Sequence, residues 1–374
     1  MVMADRSGHV SDFDALAWRS AGGSPITVSD LALTPGVVCD DSAPGIWRWA
    51  HWFPVPPVAP LTLGEGATPL VAAPWLPGDV RLKLDHLNPT GSFKDRGTAL
   101  VVAALRGAGA RRLLEDSSGN GGSSLAAYAA AADLPARVLV PGGTSAAKVQ
   151  ATRAYGAEVV EVPGGRDATS AEALRQVEDG GWTYASHAWH PLFPVGVATQ
   201  ALEIWQQLGR RAPSEVVVVA GGGSMVLGHD LAWRALLAAG LIKALPRLVM
   251  VQPSACAPLA LAWQQHRRQG VDVKPSQTLA EGTAIARPVR DREVLAALRR
   301  LKGVAVATGE DAVADATREL AAHGHYVEPT AANALAGWRQ AVAEGRAKAS
   351  GTTVVVLSGS GHKAQDAMRR VFEA

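Results

Sequence analysis

Lys94 lies in the run LNPTGSFKDRG (residues 87–97), where Asn88, Pro89 and Gly91 signal a turn and a helical pattern follows. An amine held at a helix start is a candidate nucleophile toward a carbonyl, provided desolvation or a neighbouring cation lowers its pKa. Taken alone, Lys94, Asp95 and Arg96 read more readily as a solvated first turn. A second run, DSSGNGGSS (116–124), sets three glycines and the Asn120 amide at another strand-to-helix junction, where backbone N–H groups and one directional donor can meet a ligand. Ordinary helix capping is the competing reading, and the dinucleotide fingerprint fails because Ser124 stands where Gly or Ala is required.

A third run, AGGGSMVLG (220–228), follows the most apolar strand candidate. Gly221, Gly222, Gly223 and Ser224 there form an anion cradle of N–H groups at a helix start. Without the lysine of a triphosphate-binding loop, the fit is to a single phosphate monoester. In the fourth run, LSGSGHK (357–363), Ser358 falls at a strand tip, where its hydroxyl can exchange a hydrogen bond with a heterocyclic nitrogen. Other chemistries lack their frames. Ser145 and Lys148 have S-x-x-K spacing, but neither S-D-N nor K-T-G occurs. His187, His190, His323 and His325 lack a zinc-binding pattern, so no metal centre is expected.

These residues need elements to hold them. Strands are expected at 80–84, 136–140, 158–162, 215–220, 247–252, 304–308 and 352–357, where β-branched residues cluster. Alanine- and leucine-rich helical segments are expected at 98–106, 123–132, 146–155, 199–208, 227–239, 293–301 and 312–322. Such alternation predicts an α/β fold with largely parallel sheets. The first 60 or so residues differ. They hold Trp47, Trp49, Trp52 and Phe53 and then a proline-rich run (54–60), and read as an arm whose aromatics pack on the body, with an aromatic binding platform as the sharper alternative.

The bulk numbers agree. A net charge of +2 gives no field suited to nucleic acid or an anionic membrane, and neither partner is expected. Cys39 and Cys256 stand far apart with no paired cysteine, which excludes a disulfide scaffold. A start without an apolar core and the lack of a bilayer-like run predict a cytoplasmic protein. The 39 glycines exceed the roughly 26 that average usage of about 7% would give, so several loops must turn sharply or approach something closely.

A lysine at a helix start, an Asn loop, a cradle for one phosphate and a serine for a ring nitrogen together describe pyridoxal 5′-phosphate. In this order they resemble the tryptophan synthase β-like, fold type II enzymes, and within them the threonine synthases. GEGATPL (64–70), AYGAEVVEV (154–162), AEGTAIARP (280–288) and YVEPTAANALAG (326–337) extend the resemblance from about Gly64 to Lys363. It implies a two-lobed fold with parallel-rich sheets flanked by helices and the cofactor between the lobes. The expected division is an arm (1–63) on a large cofactor domain (64–94 and 195–374), with a smaller mobile domain (95–194).

By resemblance, Lys94 is the Schiff-base lysine and Asn120 bonds the cofactor's phenolic oxygen. Gly221, Gly222, Gly223, Ser224 and Met225 hold the phosphate, and Ser358 faces the pyridine nitrogen. Ser117, Ser118, Gly119 and Lys148 are candidates for binding an amino-acid substrate. The implied activity is that of a lyase making threonine from O-phosphohomoserine; the alternative is another β- or γ-elimination or replacement. The family resemblance also favours a homodimer. The chain departs from it in Gly121 and Gly122 of the Asn loop, in a single lysine after Pro141, and in His362, where leucine is common.

Overall fold

The structure is a computed structural model of the chain, in which residues 2–32, 39–55, 59–348 and 350–373 are described; residues 56–58 of the proline-rich run lie outside these. The chain divides into two compact units, Met1–Gly66 with Asn88–Val197, and Ala67–Leu87 with Ala198–Ala374.

In the first unit a four-stranded parallel sheet runs in the order Glu158–Val162, Ala136–Pro141, Leu113–Glu115, Thr183–Tyr184. Helices Lys94–Gly107, Asn120–Ala131, Ala146–Ala154 and Arg166–Glu178 connect or cover its strands. The middle residues of the second strand, Val138, Leu139 and Val140, are all fully buried, as expected for a strand covered on both faces.

The amino-terminal segment belongs to this unit, which differs from the expected placement on the large domain. Trp18 enters the core formed by Leu114, Leu139, Val162, Ala173 and Tyr184, and meets Tyr184 edge-on at 5.0 Å. Burying so large a ring there fixes the segment to the small sheet. Trp47, Trp49, Trp52 and Phe53 are also buried, and Trp47 Nε1 donates to the Leu61 carbonyl at 2.9 Å, so these aromatics pack rather than form an open platform. Three short strands, Val2–Ala4, Val10–Asp12 and Thr27–Val28, make a separate antiparallel sheet. The Lys94 turn likewise groups with this unit, because Asp95 accepts from Thr90 and from Ser124 of the neighbouring helix.

The second unit is built on a six-stranded sheet in the order Val304–Thr308, Arg247–Pro253, Glu215–Val219, Thr352–Val356, Asp79–Lys83, Leu70–Ala72. All neighbours are parallel except the last pair. Helices Ser224–Ala238, Asp291–Arg300, Glu310–Ala322 and Pro329–Ala343 belong to this unit. Its interior also carries charge. Lys83 Nζ lies 2.7 Å from Glu203 Oε2, with both side chains almost fully buried, and donates further to the Thr68 carbonyl and to Gln207. Such a pair is tolerable in a core only because each charge is neutralised and hydrogen-bonded.

Strands expected at 158–162 and 304–308 occur with those bounds. Leu113–Glu115 and Thr183–Tyr184 were not expected, being too short to show a period. The helix Arg166–Glu178 escaped because only Thr169 and Ala173 of it are buried, too few to give an apolar stripe.

Candidate active site

In the first unit, Lys94 opens the helix Lys94–Gly107, directly after a turn in which Gly91 has φ +81°. The turn is held by Asp95, fully buried, whose carboxylate accepts from the Thr90 N–H at 2.7 Å and the Thr90 hydroxyl at 2.6 Å. Asp95 also accepts from Ser124 Oγ at 2.6 Å, tying the start of the Lys94 helix to the helix that opens with Asn120. Lys94 Nζ lies 4.7 Å from the ring centroid of Phe93 and 5.5 Å from that of Phe193. Gly97 and Gly196 make this approach possible. A Cβ on Gly97 would stand 2.6 Å from the Phe193 ring, and one on Gly196 would collide with the Arg96 carbonyl.

The candidate substrate residues leave one edge of the small parallel sheet, beyond the carboxyl ends of its strands, where ligands of α/β proteins collect. After Leu113–Glu115 come Ser117, Ser118, Gly119 and Asn120; after Ala136–Pro141 comes the turn leading to Lys148 in the helix Ala146–Ala154. Two residues that sequence reasoning passed over leave the same edge. Arg166 follows Glu158–Val162, and His187 follows Thr183–Tyr184.

Arg166 bonds the Asp116 carbonyl and lies 3.1 Å from the Asp116 carboxylate, which also accepts from Tyr184 at 2.7 Å and Ser170 at 2.6 Å. Burial pushes the Tyr184 phenol well above its ordinary pKa, and the nearby carboxylates add to this, so it stays a donor. His187 Nδ1 lies 3.0 Å from Glu115 Oε2, and its backbone N–H donates to the same oxygen at 3.0 Å. Burial, then the charge of Lys94, lowers the His187 pKa.

The two glycines without an evident purpose in the sequence are explained here. A Cβ on Gly121 would stand 2.7 Å from His187 Nδ1 and 3.0 Å from Ser117 Oγ; one on Gly122 would overlap the Ser117 carbonyl. Glycine at both positions lets the loop 117–119 and the His187 ring close onto the helix.

In the second unit, the cradle follows Glu215–Val219, whose five residues are all buried and which pairs with parallel neighbours on both sides. The loop is pinned at its start by Gln252, whose side-chain amide donates to the Ala220 carbonyl at 2.9 Å. Gly223, at φ +82°, caps the helix Ser224–Ala238, and a Cβ there would collide with Val294. Gly221 passes Thr283 and Ile285 with only 3.1 Å to spare for a Cβ. Such backbone offers the N–H groups of 221–225 with no side chain in the way, and the helix terminus favours an anion.

Ser358 follows the adjacent parallel strand Thr352–Val356, so it and the cradle leave the same edge of the sheet. It is 2% exposed. His362 is exposed, with its ring 4.9 Å from that of Tyr326.

The donor sets fit pyridoxal phosphate. The first unit carries an amine and an amide at helix starts, and the second a glycine-rich loop at a helix start and a buried hydroxyl. Comparison with known proteins bears this out at the level of the family. The family model described as "Pyridoxal-phosphate dependent enzyme" matches residues 61–359. The chain is 32% identical over 313 residues to threonine synthase of Mycobacterium leprae, covering 82% of this chain and 84% of that protein. It is 32% identical over 343 residues to threonine synthase of Synechocystis sp., covering 88% and 87%. Among solved structures, a threonine deaminase of T.th. aligns with TM-score 0.67 and 29% identity over 78% of this chain and 92% of that one. The L-serine ammonia-lyase of Rhizomucor miehei shares the fold, with TM-score 0.71 and 22% identity over 82% of this chain and 98% of that one. With an amine, a phosphate cradle and a family match spanning both, the chain belongs to the pyridoxal-phosphate-dependent enzymes of fold type II.

Proposed function

We propose that this enzyme is a threonine synthase, converting O-phospho-L-homoserine and water to L-threonine and phosphate. The observation that carries the reading is its 32% identity to threonine synthases over 82% or more of the chain. When bound, pyridoxal phosphate supplies a conjugated ring that stores the electron pair left at the substrate α-carbon.

The chain's own residues supply the rest. In this reading Lys94 would hold the cofactor through its amine and would take the proton from the substrate α-carbon. The Phe93 and Phe193 rings flank Nζ and help to fix its place. The N–H groups of Gly221, Gly222, Gly223, Ser224 and Met225 would hold the cofactor's phosphate, and the Ser358 hydroxyl would bond the ring nitrogen. Asn120 would bond the phenolic oxygen. Ser117, Ser118 and Gly119 bind the amino-acid end of the substrate, and Lys148 its leaving group. A cytoplasmic homodimer is the setting that the family resemblance favours.

A second reading, β-elimination from threonine or serine, is supported by the 29% identity to a threonine deaminase. A substrate panel separates the two. Given O-phospho-L-homoserine, the purified enzyme should release phosphate and threonine in equal amounts. If neither appears and threonine instead yields 2-oxobutanoate and ammonia, the second reading holds. Borohydride reduction should leave the cofactor's mass on the peptide carrying Lys94, and Lys94→Ala should abolish that label.

A further inference from the structure

His187 has a setting that neither packing nor the residues named above account for. It is joined to Glu115, 72 positions earlier, by two contacts to one carboxylate oxygen, from its own N–H and from Nδ1. Because Glu115 takes the Nδ1 hydrogen, the neutral ring carries its lone pair on Nε2. Phe193 lies beside both basic groups, its ring centroid 5.7 Å from that of His187 and 5.5 Å from Lys94 Nζ. The ring's place is secured by Gly121, where any side chain would strike Nδ1. The ionisable groups facing His187 are Lys94 on its helix, Glu115 on the strand before the Asn loop, and Arg166 on the helix after Glu158–Val162.

We infer that His187 is the proton acceptor serving Lys94. The N–H bond at Lys94 Nζ breaks as one forms at His187 Nε2, directly or through one water, and the Glu115 carboxylate balances the imidazolium so made. The inference rests on Lys94 being the amine of the site. A proton taken up by Lys94 from a substrate must move on before the amine can act again, and a tautomer-fixed imidazole in a partly dry setting is suited to receive it. Burial and the like charge of Lys94 lower the His187 pKa and keep the resting ring neutral, with Nε2 free of a proton, while Glu115 opposes that shift and offsets part of the cost of the imidazolium. Glu115 itself stays ionised despite burial, since His187 and Arg166 both favour its carboxylate.

The test reads the histidine directly. Hydrogen exchange at the imidazole C2 position, followed by mass spectrometry on the cofactor-free full chain, gives the titration midpoint of His187. Lys94→Ala should raise that midpoint by roughly a unit through loss of a like charge, and Glu115→Gln should lower it by a similar amount. On the holoenzyme, His187→Asn should lower kcat by about a hundredfold, within the usual range for a positioned proton acceptor, and remove the acid limb of its pH profile. Added imidazole should restore part of the rate of His187→Ala. A midpoint unmoved by Lys94→Ala, or a His187→Asn profile parallel to wild type at every pH, would overturn the inference. If His187 variants do not fold, the exchange shifts in Lys94→Ala and Glu115→Gln still decide it. Retention of the borohydride label in Lys94→Ala would instead sink the assignment of Lys94, whatever the exchange result.

Discussion

Gly121 leaves the space that the His187 ring fills: a Cβ on the glycine would stand 2.7 Å from Nδ1, inside any van der Waals contact. The helix starting at Asn120 and the segment after Thr183–Tyr184 therefore depend on one missing side chain. Gly121→Ala should push the imidazole off Glu115, lowering kcat more than stability. Gly122→Ala, which would overlap the Ser117 carbonyl, should instead destabilise the first unit by about 1–3 kcal/mol, since backbone yields less readily than a ring. Urea unfolding and steady-state rates on the two variants check the contrast.

The phosphate cradle offers a sharper pair. Gly223→Ala meets both φ +82° and the Val294 side chain, so pyridoxal-phosphate affinity should fall with a stability loss of about 1–3 kcal/mol. Gly222→Ala has open space around its Cβ and no positive φ. It should leave stability within about 0.5 kcal/mol of wild type. Cofactor titration by absorbance and thermal unfolding measure the two effects separately.

Removing the ammonium of Lys83 strands the Glu203 carboxylate in the core of the second unit. Lys83→Met should cost about 3–5 kcal/mol, the range for breaking a buried pair from one side. The double variant Lys83→Met with Glu203→Leu should regain part of that loss, because no buried charge then remains. Denaturant midpoints of the single and double variants test this, and a single variant as stable as wild type would refute it.

Acid should weaken the fold before the carboxylates titrate. His86 is 9% exposed, and burial together with nearby His325 holds its pKa at about 4, below the ordinary 6.5. The unfolded chain therefore binds the proton more readily, and stability present above pH 6.5 is lost as the pH falls toward 4. At about 1.4 kcal/mol per unit, His86 alone contributes a loss of up to about 3 kcal/mol across that window. His187 and His325, also lowered, act in the same direction. Unfolding free energies between these pH values should slope upward, and His86→Phe should flatten the slope.

Much of the candidate site is legible in the chain because its parts are local. Lys94, Asn120, the glycines of 221–223 and Ser358 each sit where a strand or turn meets a helix, and such junctions leave their mark in contiguous residues: turn formers, glycines, then a helical pattern. Periodicity places the long buried strands for the same reason. The residues that escape are those whose meaning is a distance. Glu115 and His187 are 72 positions apart and become a pair only because Leu113–Glu115 and Thr183–Tyr184 lie side by side in parallel. Trp18 reads as part of an arm, yet the small sheet's core claims it. The order of residues is enough to point to the cofactor and to a backbone suited to a phosphate, since bare N–H groups at a helix start are a local property. Why Gly121 and Gly122 must lack side chains, and what stands beside Lys94, emerge from the folded chain alone, because steric exclusion and charge coupling depend on neighbours that chain order does not reveal.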